Sequence, residues 1–437
     1  MRVQVAAAVL AISVSLASPA LAQALFDSGP LPAPRPFPPG RVLVAQAFKL
    51  APADMELWLD GRRIGTSAGP EGSRLALLPP GEWELYLRSS GYESARVRLR
   101  VPAAAQVRAK LERRSEAIKF AARGETGMRP KSAAYTPDGK YLILPLMSGR
   151  GADLLDARSL AYAGRLTPPE SYGKYEGFVE SAVLPGQREI WVSQMHTDRI
   201  HAFDLDTLAY KDSFRAGGVC PKVIAISPGG SRAYVSNWVS ESVTVIDAAT
   251  RRIVARVPTK TIPRGLAPSP DGAYLYVAGF GNGAVLRIRL EKMALDTFYP
   301  PDGGAKRELV LDVPRGRLYA TDMDRDSLFA FDLASRAKLA EIRLGPNPNG
   351  CALSPDGKLL FACTRGTNGA RGYEYPGPDF GELVVIDAET LRVVDRQWGG
   401  EQPTGLAVSP DGSRVVFTDF LDHQVEAYDI GVPGSDS

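Results

Sequence analysis

Seven times along this 437-residue chain a proline stands in a short turn, and the residue six positions ahead of it varies from copy to copy. The prolines are Pro137, Pro185, Pro228, Pro270, Pro314, Pro355 and Pro410; the residues ahead of them are Lys131, Val179, Lys222, Arg264, Glu308, Asn349 and Thr404. Lys131, Lys222 and Arg264 are three of the first four. Where such segments converge on one low-dielectric mouth, clustered cations focus a positive field and suit a ligand with an anionic group. Glu308 and Asn349 add a carboxylate and an amide to the same rim. Two long insertions, GRLTPPESYGKYEGF (164–178) and TRGTNGARGYEYPGPDFGE (364–382), carry Tyr172, Tyr175, Phe178, Tyr373, Tyr375 and Phe380. A shorter link, FYPPDGGAK (298–306), adds Tyr299. Aromatic loops on a rigid scaffold are recognition surfaces, and amphipathic rings suit a flat or sugar-like body. Two blander readings stay open: the cations pair with Glu180 and Glu308, and the loops cover apolar ends of the fold.

Catalysis needs a nucleophile with a base, or a metal cage. No catalytic residue is assigned. The mouth has too few oxygens for Ca²⁺, and His196, His201 and His423 do not cluster by pattern. GFGNGAV leads from one strand into another, so its glycines serve a hairpin and not a dinucleotide. No metal and no cofactor is expected.

The elements that must position these residues are legible from the repeat. The spacings of the turn prolines are 48, 43, 42, 44, 41 and 55 residues. After most of them comes a strand rich in Tyr, Val or Phe, as in RAYVSN, YLYVAG and RVVFTD. About nineteen residues on, an aspartate ends a third strand: Asp156, Asp204, Asp247, Asp332 and Asp429, with Arg289 in the fourth copy and Asp387 delayed in the sixth. Four-stranded units with this period predict a seven-bladed β-propeller. The SPDG and IDAAT or IDAET turns read as structural, through proline's fixed φ, Asx bonding and glycine's positive φ. The last copy lacks one strand, and EAIKFAARG (116–124) is free to supply it and close the ring. With AYVSN and LYVAG near its signature, this part resembles the YVTN family of seven-bladed propellers over about 320 residues.

Upstream, MELWLDGRRIG, PPGEWELYL and GYE occur in order, and SARVRLRVP alternates Val97, Leu99 and Val101 with Arg96, Arg98 and Arg100. These strands resemble a PEGA domain, with Ser67-Ala68 in place of its usual Thr-Pro step. The chain opens on Arg2, an apolar run from Val5 to Leu16 and Ala20-Leu21-Ala22, the pattern of a secretory signal cleaved after Ala22. QALFDSGPLPAPRPFPPGR is a polyproline spacer.

The expectation is therefore an all-β protein: signal peptide 1–22, Pro-rich linker 23–42, a small β-sandwich-like (PEGA) domain 43–114, propeller 115–431 and tail 432–437. A hydrophobic fraction of 44% and a formal charge of +3 fit an ordinary globular protein and predict no nucleic-acid partner. No later segment is apolar enough to cross a bilayer. Cys220, Cys351 and Cys363 cannot form a paired framework, although Cys351 and Cys363 flank one turn and could face each other. The resemblances imply an exported bacterial protein of the cell envelope, periplasmic or extracellular. The residues at the mouth add the expectation of a non-catalytic binding or scaffold protein whose partner is an envelope protein, a polymer or an anionic small ligand. The alternative is a propeller enzyme of lactonase or lyase type.

Overall fold

The computed structural model describes residues 43–51, 55–59, 62–69, 73–89, 95–103, 106–111, 117–169, 176–375, 377 and 380–431. The leader 1–22, the spacer 23–42 and the tail 432–437 lie outside these residues, as do Tyr172 and Tyr175. Among the described residues no helix is long and apolar enough to cross a membrane. The chain divides into two compact units.

The N-terminal unit is two four-stranded sheets on one core. One sheet runs Thr66–Ala68, Arg74–Leu78, Val44–Ala51, Val107–Lys110; the other runs Arg62–Ile64, Glu56–Leu59, Gly81–Arg88, Ala95–Val101. Met55, Leu57, Leu59, Leu85, Val97 and Val101 are buried between them, while Arg98 and Arg100 face water. The period-two alternation is thus one apolar and one wet face of a strand.

The larger unit holds seven four-stranded antiparallel sheets, the blades. Their first strands are Ala134–Tyr135, Phe178–Leu184, Pro221–Ile226, Pro263–Pro268, Lys306–Asp312, Pro348–Leu353 and Pro403–Val408. From blade two to blade seven, and from blade seven to blade one, the first strands of successive blades lie against one another; between blades one and two, the first strand of blade two lies against the second strand of blade one. Burial falls from the middle of each blade outwards. All six residues of Glu189–Gln194, a second strand, are buried, whereas Lys338–Arg343, a fourth strand, is mostly exposed. Middle strands are sandwiched between neighbouring blades, so each apolar cluster joins two of them: Tyr276, Ala278 and Phe298 of blade four pack with Leu318, Phe329 and Phe331 of blade five.

Side-chain chemistry explains the turns. In the SPDG type, Ser269, Ser354 and Ser409 donate to Asp271, Asp356 and Asp411 at 2.5–2.6 Å, and the glycine that follows has φ near +70°. In the other type, Asp156, Asp204, Asp247, Asp332 and Asp387 each accept both the N–H and the hydroxyl of the Ser or Thr three residues on. These bonds hold the aspartates below the usual carboxylate range. They build hairpins and are spent there.

Ile118–Glu125 is the fourth strand of blade seven, beside Gln424–Ile430. Phe120 meets Tyr428 edge to face at 5.5 Å, and Arg123 pairs with the wholly buried Glu426 at 2.5 Å. Removing one partner of a buried pair strands the other charge, at a cost of about 3–5 kcal/mol. Arg123→Ala should therefore lower stability by about that much in denaturant titration. An unchanged midpoint would mean that this strand does not hold the ring closed.

Candidate functional site

The centre of the ring is shaped by a β-bulge repeated at the start of the first strands. In blades three to seven Pro221, Pro263, Lys306, Pro348 and Pro403 pair with Asn237, Gly279, Asp322, Thr364 and Asp419, and the register then slips. Two residues now oppose one, and a bulge of this kind re-aims a side chain. The first of the two is Lys222, Arg264, Arg307, Asn349 and Thr404. Val179 takes this place in blade two and Lys131, after the bridge Pro130–Leu146, in blade one. Counting back from the turn thus slips by one in blade five. Its first strand has seven residues where its neighbours have six, so Arg307 and not Glu308 is the equivalent position.

Hydroxyls on the second strands pin the bulges from the neighbouring blade. Ser193 Oγ donates to the Lys222 carbonyl at 2.8 Å, and Thr321 Oγ1 to the Asn349 carbonyl at 2.8 Å. The same Thr321 oxygen accepts the Glu308 N–H, as Ser236 and Thr418 accept those of Val223 and Gly405. In blade six this place is held by Cys363, whose Sγ lies 3.7 Å from the Thr404 carbonyl. Cys351 is paired with Ala362 and Cys363 with Leu383, so the two thiols are out of register; both are free. The blades approach closely here. A Cβ on Gly265 would stand 2.8 Å from the Arg307 carbonyl, and one on Gly405 2.5 Å from the Ser132 carbonyl carbon.

A collar sits just beyond the second strands, by one residue in blades two to seven and by two in blade one. The N–H groups of Met147, Met195, Trp238, Phe280, Met323, Arg365 and Phe420 donate to the carbonyls of Arg129, Gly177, Cys220, Ile262, Ala305, Asn347 and Gln402, each two residues before the bulge side chain. Six collar members are apolar, and blade six substitutes Arg365. Sequence reading missed Arg365 and Arg307. Aligning the copies on the second strand instead of the turn proline would have exposed both.

The cations meet here without a contact ion pair. Lys131, Arg264, Arg307 and Arg365 are about nineteen-twentieths buried, and none forms an ion pair among the described residues. Burial first, then Arg365, Arg307, Arg264 and Lys222, hold Lys131 well below the usual lysine range. Burial and then Arg264 and Arg365 lower Arg307. Burial lowers Lys222 to about 8 and Arg365 to about 10. Glu180 is pushed up to about 7 by burial and by Glu308, and burial likewise raises Glu308 against the pull of Arg307 and Arg264. Among the described residues neither Glu180 nor Glu308 comes within ion-pair distance of these cations, although both feel the attraction of Arg264 and Arg307. Aromatic faces compensate in part. Lys131 Nζ lies 4.6 Å from the Tyr373 and Phe420 centroids, Arg365 4.7 Å from Tyr373, and Lys222 Nζ 5.5 Å from Trp238. Arg264 Nη1, Arg365 Nε and both amide atoms of Asn349 are buried without a hydrogen bond.

Not every residue singled out from sequence joins this site. Tyr373 covers it, but Tyr375 is exposed and stacks on Arg371 at 3.8 Å, because Glu374 between them is tied to Arg129 at 2.7 Å. Phe178 and Phe380 are buried rather than displayed, and Tyr299 packs on Phe331. Thr404 bonds to the Pro130 carbonyl. His201 is enclosed, bonds Gln194 at 2.9 Å and is lowered to about 4 by burial; His423 Nδ1 accepts the Arg129 N–H. Among the described residues no group of three His, Cys, Asp or Glu side chains could hold a metal ion.

No protein-family model matches the chain. The resemblances to YVTN propellers and PEGA domains thus stand on the residues quoted for them. The chain is 38% identical over 357 residues to Antigen Lp49 of Leptospira interrogans, covering 79% of this chain and 77% of that one. A chain of Kuenenia stuttgartiensis hydrazine synthase superposes with a TM-score of 0.59 at 20% identity, covering 70% of this chain and 97% of its own. The second likeness is one of fold.

Glu180 gives the site a pH signature. A carboxyl held protonated up to about 7 keeps a proton that the unfolded chain releases at ordinary carboxylate pH. Its contribution to stability is whole in acid and is lost as pH rises through that window. Lys222 acts with the opposite sign, favouring the fold as pH climbs from about 8 to the usual lysine range. Glu180→Gln should melt with wild type near pH 4.5 and above it at pH 8, by roughly 1.4 kcal/mol for each pH unit of the window. Equal melting at pH 8 would place Glu180 in water.

Proposed function

This chain belongs to the family of Antigen Lp49, and from that premise we propose that it is an exported, non-catalytic recognition protein of the bacterial envelope, periplasmic or extracellular. Its propeller takes a ligand or partner with an anionic group at the collar. One observation carries this reading: four buried cations converge without ion pairs beneath a mostly apolar collar, with unmet donors among them. Buried charges are normally paired, and a set left unpaired costs stability that a ligand restores. The relative's name supports an exposed location, since an antigen is a protein met by antibodies. The apolar run that ends in Ala20-Leu21-Ala22 supports export.

The groups at the collar are suited to binding rather than turnover. They are cations, rings, an amide and two raised carboxyls, with no nucleophile hydrogen-bonded to a base among them. Sub-millimolar Ca²⁺ and EDTA should leave the melting temperature unchanged; a clear rise with Ca²⁺ would favour a propeller hydrolase instead.

The binding test uses Lys222→Glu, Arg264→Glu in the full chain, first checked for native melting. Charge-assisted bonds contribute about 1.5–3 kcal/mol each, so losing two should weaken capture of envelope components by on the order of a hundredfold or more. Capture as tight as wild type would move recognition away from the channel.

A further inference from the structure

Resting on the recognition site proposed above, we infer that the channel holds a compact, multiply charged oxyanion of the phosphate or sulfate type, free or at the end of a larger molecule.

Charge is the first argument. Five basic side chains, Lys131, Lys222, Arg264, Arg307 and Arg365, face two acidic ones, Glu180 and Glu308, so basic groups outnumber acidic ones by three, and a bound anion would favour the charged forms that burial disfavours. A singly charged carboxylate would leave most of that excess uncompensated. Donor geometry is the second. Three guanidiniums present rigid forks that match oxyanions two bonds at a time, whereas a carboxylate has only about four lone-pair sites to share among them. A tetrahedral oxyanion has oxygens on every side for a ring of donors. Unmet capacity is the third: Arg264 Nη1 of blade four, and Arg365 Nε and the Asn349 amide of blade six, are buried and uncovered by any hydrogen bond.

The two carboxyls do not argue against an anion. Glu180 sits among Glu308, Arg264 and Arg307 and is held up to about 7, so below that pH it offers an O–H donor in place of a repelling charge. Anion binding should therefore strengthen as pH falls through that range. Sulfate reads this cleanly, because its own charge is constant there.

The experiment titrates the full chain with sodium phosphate, sodium sulfate, glucose 6-phosphate and sodium acetate at fixed ionic strength, following melting temperature and heat of binding. Phosphate and sulfate should raise the melting temperature and saturate, acetate should not, and sulfate should bind several-fold more tightly at pH 6 than at pH 8. Glucose 6-phosphate binding more tightly than phosphate supports an anion carried on a larger body; equal binding supports the free ion. Arg307→Gln, Arg365→Gln should weaken binding at least tenfold while melting no lower than wild type in anion-free buffer, since it relieves like-charge repulsion. If that variant does not fold, Asn349→Ala should still weaken sulfate measurably. The inference is overturned if acetate matches sulfate, if no anion shifts the melt, or if sulfate binds the variants as it binds wild type. The broader reading can outlive it: should no anion bind while Lys222→Glu, Arg264→Glu loses envelope capture, the channel recognises another group and only the oxyanion assignment falls.

Discussion

A backbone hydrogen bond repeated seven times sets the geometry of the ring's centre. Each collar N–H reaches the carbonyl two residues before the bulge side chain, at 2.8–3.3 Å. That bond anchors the start of the first strand on its own second strand. The strand must then absorb an extra residue before regular pairing resumes, and the extra residue is turned toward the centre. Several of the residues whose carbonyls accept these bonds, such as Arg129, Cys220, Asn347 and Gln402, sit at positive φ near +60°, a conformation that non-glycine residues adopt only under local constraint. Position and direction of Lys131, Lys222, Arg264, Arg307 and Asn349 follow from this one device. Inter-blade hydroxyls such as Ser193 and Thr321 then lock it to the next blade.

The scaffold separates two uses of charge. On the turns, aspartates are exposed, satisfied by local N–H and hydroxyl donors, and lowered in pKa; they stabilise hairpins. At the centre, half-buried carboxyls and mostly buried cations make no contact ion pairs with one another and are largely shifted toward their neutral forms. The same chemistry is solvated in one place and frustrated in the other. Frustration concentrated in one region, while the surrounding local choices agree with the fold, is the usual mark of a site kept for function over stability.

Such a centre needs a frame that does not relax around it. Apolar clusters shared between adjacent blades supply that frame, as does the return of Ile118–Glu125 to blade seven, which removes an open edge and sets Arg123 against Glu426. A ring closed in this way cannot splay to let repelling cations separate. Aromatic faces from Tyr373, Phe420 and Trp238 spread part of the positive charge without neutralising it.

The amino-acid sequence by itself determined the blades, their number, their turns and the closing strand, because each rests on local physics. Proline fixes φ, aspartate caps its own turn, alternation of apolar residues sorts faces, and a missing strand must be found somewhere. It also determined that Lys131, Lys222 and Arg264 occupy one repeated position. Tertiary structure alone decided the rest. Blade five carries one more residue in its first strand, which puts Arg307 in the place counted for Glu308. Arg365 enters through a collar visible only when second strands are superposed. Tyr373 folds over Lys131 while Tyr375 turns to Arg371, since an ion pair of Glu374 with the distant Arg129 fixes the loop between them. Whether buried cations find counter-ions is likewise a matter of residues far apart in the chain, and here Glu180 and Glu308 stand near without pairing. Spacing along a strand is written in the sequence; the meeting of side chains across a ring is a product of closure.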